Sequence, residues 1–210
     1  MFQRKIYFSF RLNLVLIALI SIPNELARAQ YQLSLPETER RVSWMLDNMT
    51  LEQKIGQMVQ ADIDHITPKD LSQYYLGSIQ NVGGHLPVGN QSSVDDWLRL
   101  ADVYHRASID KSQGGAGIPI IWGTDAVRGF DNQIGATIFP QNIGLGAAGE
   151  PALVERIAAA SAREFSATGH DWSFAPTLGV ARDMRWGRTY ESFSEDSGIV
   201  ESYSAAMIRG

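Results

Sequence analysis

Between residues 50 and 210, short apolar runs alternate with longer stretches of helical periodicity, and this alternation narrows the fold more than any other feature. Gly77-Ser78-Ile79-Gln80-Asn81-Val82 reads as one short strand, ended by Gly83-Gly84. Ile118-Pro119-Ile120-Ile121-Trp122-Gly123 reads as a second, buried on both faces, and Trp172-Ser173-Phe174-Ala175-Pro176 as a third. Helices fill the intervals. Residues 37–47 carry Val42, Met45 and Leu46 on one side, and Thr50 with Gln53 fits a capping box ahead of a helix whose apolar face is Leu51, Ile55, Met58 and Val59. Thr67-Pro68 opens a further short helix. Ser92 or Ser93 caps a long one with Val94, Trp97, Leu98, Ala101 and Tyr104 at helical spacing. Pro151 starts another, bearing Leu153, Val154, Ile157, Ala158 and Phe165, and Ser194 caps the last, with Glu195 and Asp196 in its first turn. Strands alternating with helices mean a parallel α/β architecture, either a (β/α)₈ barrel or a doubly wound sheet. Neither GxGxxG nor GxxxxGK[ST] occurs, which weakens the nucleotide-binding version.

Composition excludes some functions. The chain has no cysteine, so thiolate metal sites and cysteine nucleophiles are ruled out, and its net charge of −5 argues against a nucleic-acid partner. Arg4 and Lys5, the apolar run Leu12 to Ile22 and the small-x-small triplet Ala27-Arg28-Ala29 have the order of a secretory signal peptide cut after Ala29. That run is shorter than the ~20 apolar residues of a membrane-spanning helix. Residues 1–29 are therefore expected to be removed, with no stable membrane anchor left after cleavage, and residues 30–210 to be secreted or periplasmic.

In a β/α barrel the working residues follow the strands at their carboxyl ends. Two stretches qualify. In Gly123-Thr124-Asp125-Ala126-Val127-Arg128-Gly129, the acid at the end of a buried strand faces a ligand or caps a local turn. Arg182-Asp183-Met184-Arg185-Trp186-Gly187-Arg188-Thr189-Tyr190-Glu191 packs arginines, acids and aromatics into one short segment. Such side chains either reach sugar hydroxyls or brace the loop through ion pairs.

These motifs carry a family resemblance. GTDAVRG (123–129), GATIFPQNIGLGA (135–147) and RDMRWGRTYESFSED (182–196), with MTLEQKIGQM (49–58) upstream, resemble the amino-terminal barrel of glycoside hydrolase family 3. The likeness runs from about residue 36 to the last residue. It implies the amino-terminal part of a (β/α)₈ TIM-type barrel, incomplete at residue 210. It also implies cofactor-free, metal-free hydrolysis that releases terminal β-D-glucose from β-linked oligosaccharides or glucosides with retention. Asp125 and Arg188 match the residues that hold the sugar of the first subsite, while Arg185, Trp186, Tyr190 and Glu191 match supporting positions. Arg128 stands where the family commonly has histidine.

The family's nucleophile (in an SDW-like motif), its KHF segment and the acid/base of its glucosidase branch have no match in residues 30–210. No catalytic residue is therefore assigned, and these residues alone are expected to be inactive. DQEGGRV, typical of the N-acetylhexosaminidase arm, is also missing. That arm, a β-xylosidase and a non-catalytic sugar-binding protein are the alternatives to a β-glucosidase.

Overall fold

The computed structural model describes residues 35–82, 86–87, 92–112 and 114–210. The signal-peptide reading at residues 1–29 falls outside the described residues, as do Gly83 and Gly84. Residues up to Asn48 and from Met49 onward form two units. In the first, helix α1 (Leu35–Asn48) has Glu37 in its first turn, and the Asn48 side chain caps the Trp44 carbonyl at its end (2.7 Å).

In the second unit the elements run α2 (Leu51–Gln57), β1 (Gln60–Asp62), a 3₁₀ turn (Ile63–His65), α3 (Pro68–Tyr74), β2 (Ser78–Asn81) and α4 (Val94–Ile109). They continue with β3 (Ile121–Thr124), α5 (Asn142–Ala147), α6 (Pro151–Ser166), β4 (Trp172–Ser173), a 3₁₀ turn (Thr189–Glu191) and α7 (Ser197–Arg209). Three N-termini form as their sequences dictate, with reciprocal capping boxes at Thr50/Gln53, Thr67/Asp70 and Ser93/Asp96.

All strand pairs are parallel and the order is β1-β2-β3-β4. Each new strand adds to the same edge, without the reversal that defines a doubly wound sheet. This is the progression of a TIM-type barrel.

The register gives the sheet two unlike faces. Ile79 and Trp122 are paired neighbours, as are Asn81 and Thr124, and all four are buried beneath the helices. There Trp97 of α4 meets Trp122 edge-on at 5.8 Å, and Tyr104, Phe130 and Phe165 complete an aromatic core. A second apolar cluster joins Leu145 of α5, Val154 and Ile157 of α6, and Val200, Tyr203 and Met207 of α7.

Four expectations need correcting. The β3 run is not buried on both faces: Ile121 is 50% exposed and Trp172 on β4 is 47% exposed, because both lie on the face opposite the helices. The third strand is only Trp172–Ser173, its continuation passing through a cis Ala175-Pro176 bond. Leu51, Ile55, Met58 and Val59 are exposed rather than core. Helix α2 docks instead through Gly56, where a Cβ would stand 2.2 Å from the Tyr74 carbonyl, and through Gln57, whose amide donates to the Tyr75 carbonyl (2.8 Å). Finally, Asp196 and not Ser194 caps α7, because its carboxylate takes both the Gly198 and Ile199 amides (2.7 and 3.1 Å).

Among the described residues no helix is long and apolar enough to cross a membrane.

Candidate functional site

A cleft of about 440 Å³ opens at the carboxyl end of the sheet. Asp125 enters it because it follows Thr124, the last residue of β3, and side chains alternate along an extended chain. Thr124 points under the helices, so Asp125 points to the other face. The Asp125 carboxylate accepts no hydrogen bond among the described residues, so the turn-capping alternative is not realised. Asp125 remains open to solvent, and partial desolvation by the cleft pushes its pKa above the usual carboxylate range. Arg188 opposes that rise, and the charges of Glu191 and Asp131 reinforce it.

Arg188 comes from the long connection after β4 and caps the 3₁₀ turn Thr189–Glu191. The turn brings Glu191 back onto it in a two-pronged pair, Nε to Oε1 at 2.8 Å and Nη2 to Oε2 at 2.5 Å. Hydrogen bonding to Arg188 holds the Glu191 carboxyl below its ordinary range, and the same contact holds the guanidinium charged. The Glu191 carbonyl is in turn held by the Asn142 side-chain amide at the start of α5 (2.8 Å). The PQN segment thereby fixes the arginine turn from the adjoining part of the cleft lining.

Of the residues singled out from sequence, Asp125, Arg188, Tyr190 and Glu191 share this cleft. Arg185 and Trp186 do not line it. Arg185 closes on its own neighbour Asp183, both exposed, and Trp186 lies over Gly179, where a Cβ would be 2.6 Å from the indole ring. Their contacts stay within their own loop. Arg128 does line the cleft, 3.8 Å from Asp131, and its carbonyl accepts the Phe139 amide (2.8 Å) to close the loop.

Sequence reasoning did not select Asp131, Asn132, Gln141, Asn142 or Thr177, which also line the cleft. For Gln141 and Asn142 the signal was available in the GATIFPQN stretch, but nothing local marks which of its polar groups turn inward, while Asp131, Asn132 and Thr177 lie outside it. Among the described residues no group of three His, Cys, Asp or Glu is placed to hold a metal ion.

The family model described as "Glycosyl hydrolase family 3 N terminal domain" matches residues 50–210. The lysosomal beta glucosidase of Dictyostelium discoideum is 32% identical over 182 residues, covering 79% of this chain and 22% of the relative. The periplasmic beta-glucosidase of Salmonella typhimurium is 28% identical, covering 80% of this chain and 20% of the relative. Among solved structures, the exo-1,3/1,4-beta-glucanase of a Pseudoalteromonas species superposes with a TM-score of 0.78 at 46% identity, covering 82% of this chain and 22% of that one. The chain thus spans about a fifth of the length of these relatives. With a barrel progression of strands, an acid at the end of β3, a braced arginine after β4 and a family match over most of its length, the chain belongs to glycosyl hydrolase family 3.

Proposed function

We propose that this chain supplies one wall of the sugar-binding site of a secreted or periplasmic glycoside hydrolase. That enzyme releases terminal non-reducing β-D-glucose from β-glucosides or β-glucans with retention. Residues 1–29 serve as the signal peptide and residues 30–210 as barrel-domain sequence. Asp125 accepts hydrogen bonds from hydroxyls of the terminal sugar, and Arg188, held by Glu191, donates to the same ring. Tyr190 closes the side of the subsite, while Arg185 and Trp186 brace the loop that carries it.

One observation carries this reading. Asp125 is a carboxylate without a hydrogen-bond partner among the described residues, in a cleft it shares with an arginine already oriented by a two-pronged ion pair. A carboxylate so placed, open to solvent in the cleft, is free to exchange its water for donors from a ligand, and sugar hydroxyls are donors of the right size and number. The glucosidase and glucanase relatives support glucose as that sugar, and the periplasmic relative supports export. Retention needs two carboxyl groups about 5–5.5 Å apart, and neither is assigned to a residue of this chain. The contribution proposed here is binding that tightens toward the transition state.

In the full-length enzyme, Asp125→Ala is expected to lower kcat/KM on a chromogenic β-glucoside by about 100-fold or more, since a charged hydrogen bond to the reacting sugar is lost. A change below about threefold would remove Asp125 from the subsite.

A further inference from the structure

No hydrogen bond from the described residues holds the Asp125 side chain, so its aim depends on the backbone that carries it. That backbone is tied from beneath. The hydroxyl of Thr124, fully buried, donates to the Asn81 carbonyl at 2.6 Å, and the Thr124 carbonyl accepts the Phe174 amide at 3.1 Å. Asn81 is itself clamped: its Oδ1 accepts Trp122 Nε1 at 2.8 Å and lies 2.9 Å from His170 Nε2, while His170 Nδ1 lies 2.8 Å from Thr168 Oγ1. The side chains of Asn81, Trp122, Thr124, Thr168 and His170 are all buried. Among the described residues the Asn81 Nδ2 donor is buried with no partner, a cost of about 1–3 kcal/mol that an apolar residue would avoid.

We infer that Thr124, clamped through Asn81 by Trp122 and His170, is a positioning residue that aims Asp125 into the cleft by fixing the end of β3 against β2. The inference rests on the sugar-binding reading of Asp125. Its geometry is demanding because the hydroxyl contact is shorter than a methyl group tolerates. Carbon against a carbonyl oxygen needs about 3.3 Å or more, so Thr124→Val, equal in shape, both loses the bond and pushes the strand ends apart by several tenths of an ångström. Displacements of that order at a binding constellation cost one to two powers of ten in rate. Thr124→Ser keeps the hydroxyl and restores the contact.

The test is a double-mutant cycle in the full-length enzyme, read as kcat/KM on a chromogenic β-glucoside and as the inhibition constant of D-glucose. Thr124→Val is expected to lower kcat/KM about tenfold and to weaken glucose inhibition in parallel, with Thr124→Ser within about threefold of the parent. In an Asp125→Ala background the same Thr124→Val change should move kcat/KM less than about twofold, because there is no carboxylate left to aim.

An equal loss in both backgrounds, or a Thr124→Ser variant as impaired as Thr124→Val, overturns the inference while leaving the sugar-binding role of Asp125 intact. An Asp125→Ala enzyme that keeps its activity removes both readings. If thermal melting shows Thr124→Val unfolded, Trp122→Phe enters the same cycle. It withdraws the indole donor from Asn81 together with part of the ring packed on Trp97 and Tyr104, and additivity there counts equally against the inference.

Discussion

His170 makes the stability of this protein depend on pH in a direction and window that can be worked out. Its ring is 6% exposed and is packed against Trp122, Trp97, Phe130 and Phe165 at centroid distances of 4.6, 5.0, 5.0 and 5.4 Å. Burial in that cage disfavours the imidazolium and lowers the pKa from 6.5 to about 4. The unfolded chain therefore takes up a proton near pH 6.5 that the native protein refuses until about pH 4.

Stability from this group is complete above pH 6.5 and is lost as pH falls toward 4. The slope reaches about 1.4 kcal/mol per pH unit, which over that window amounts to about 3 kcal/mol. Urea unfolding of the purified protein at pH 7 and at pH 4 measures the loss. His170→Gln, which stays polar but cannot titrate, supplies the control. Other acids contribute equally to both proteins, so the difference between the two pH-dependent losses isolates His170 and should approach about 3 kcal/mol. Parallel pH profiles for the two proteins, or a His170 ring titrating near 6.5 by NMR, would refute the account.

Two further outcomes follow from named contacts. Glu191→Gln removes the charge that orients Arg188. It should lower kcat/KM on a β-glucoside by at least about tenfold while changing the unfolding free energy by less than about 1 kcal/mol, since the arginine is largely solvated. Comparable losses of stability and activity would show a structural brace instead. Gly146→Ala places a Cβ 1.8 Å from the Phe193 carbonyl oxygen. Despite alanine's better helix propensity it should destabilise by about 2–3 kcal/mol in urea unfolding, because backbone on both sides must separate; an unchanged midpoint would contradict that packing.

What could be read from the sequence was whatever depends on near neighbours along the chain. The box at Thr50 and the caps at Thr67 and Ser93 form because an N-cap and its partner are three residues apart whatever surrounds them. The β3 run and the acid that follows it are equally local, and GTDAVRG, GATIFPQNIGLGA and RDMRWGRTYESFSED together were enough to name the family and point to Asp125 and Arg188.

Which side of an element is covered was decided only in three dimensions. Leu51 and Met58 look like core by periodicity, yet α2 approaches through Gly56, and Ile121 stands exposed beside a buried Trp122. The partners of the loop arginines were undecided for the same reason. Arg185 and Arg188 are alike in sequence, but only the turn at Thr189–Glu191 brings an acid onto the second inside the cleft. The clamp of Asn81, Trp122, Thr124 and His170 joins residues up to 89 positions apart. A single buried polar residue does not announce its partner, because the energy that keeps it there belongs to the pair and exists only once the strands have aligned.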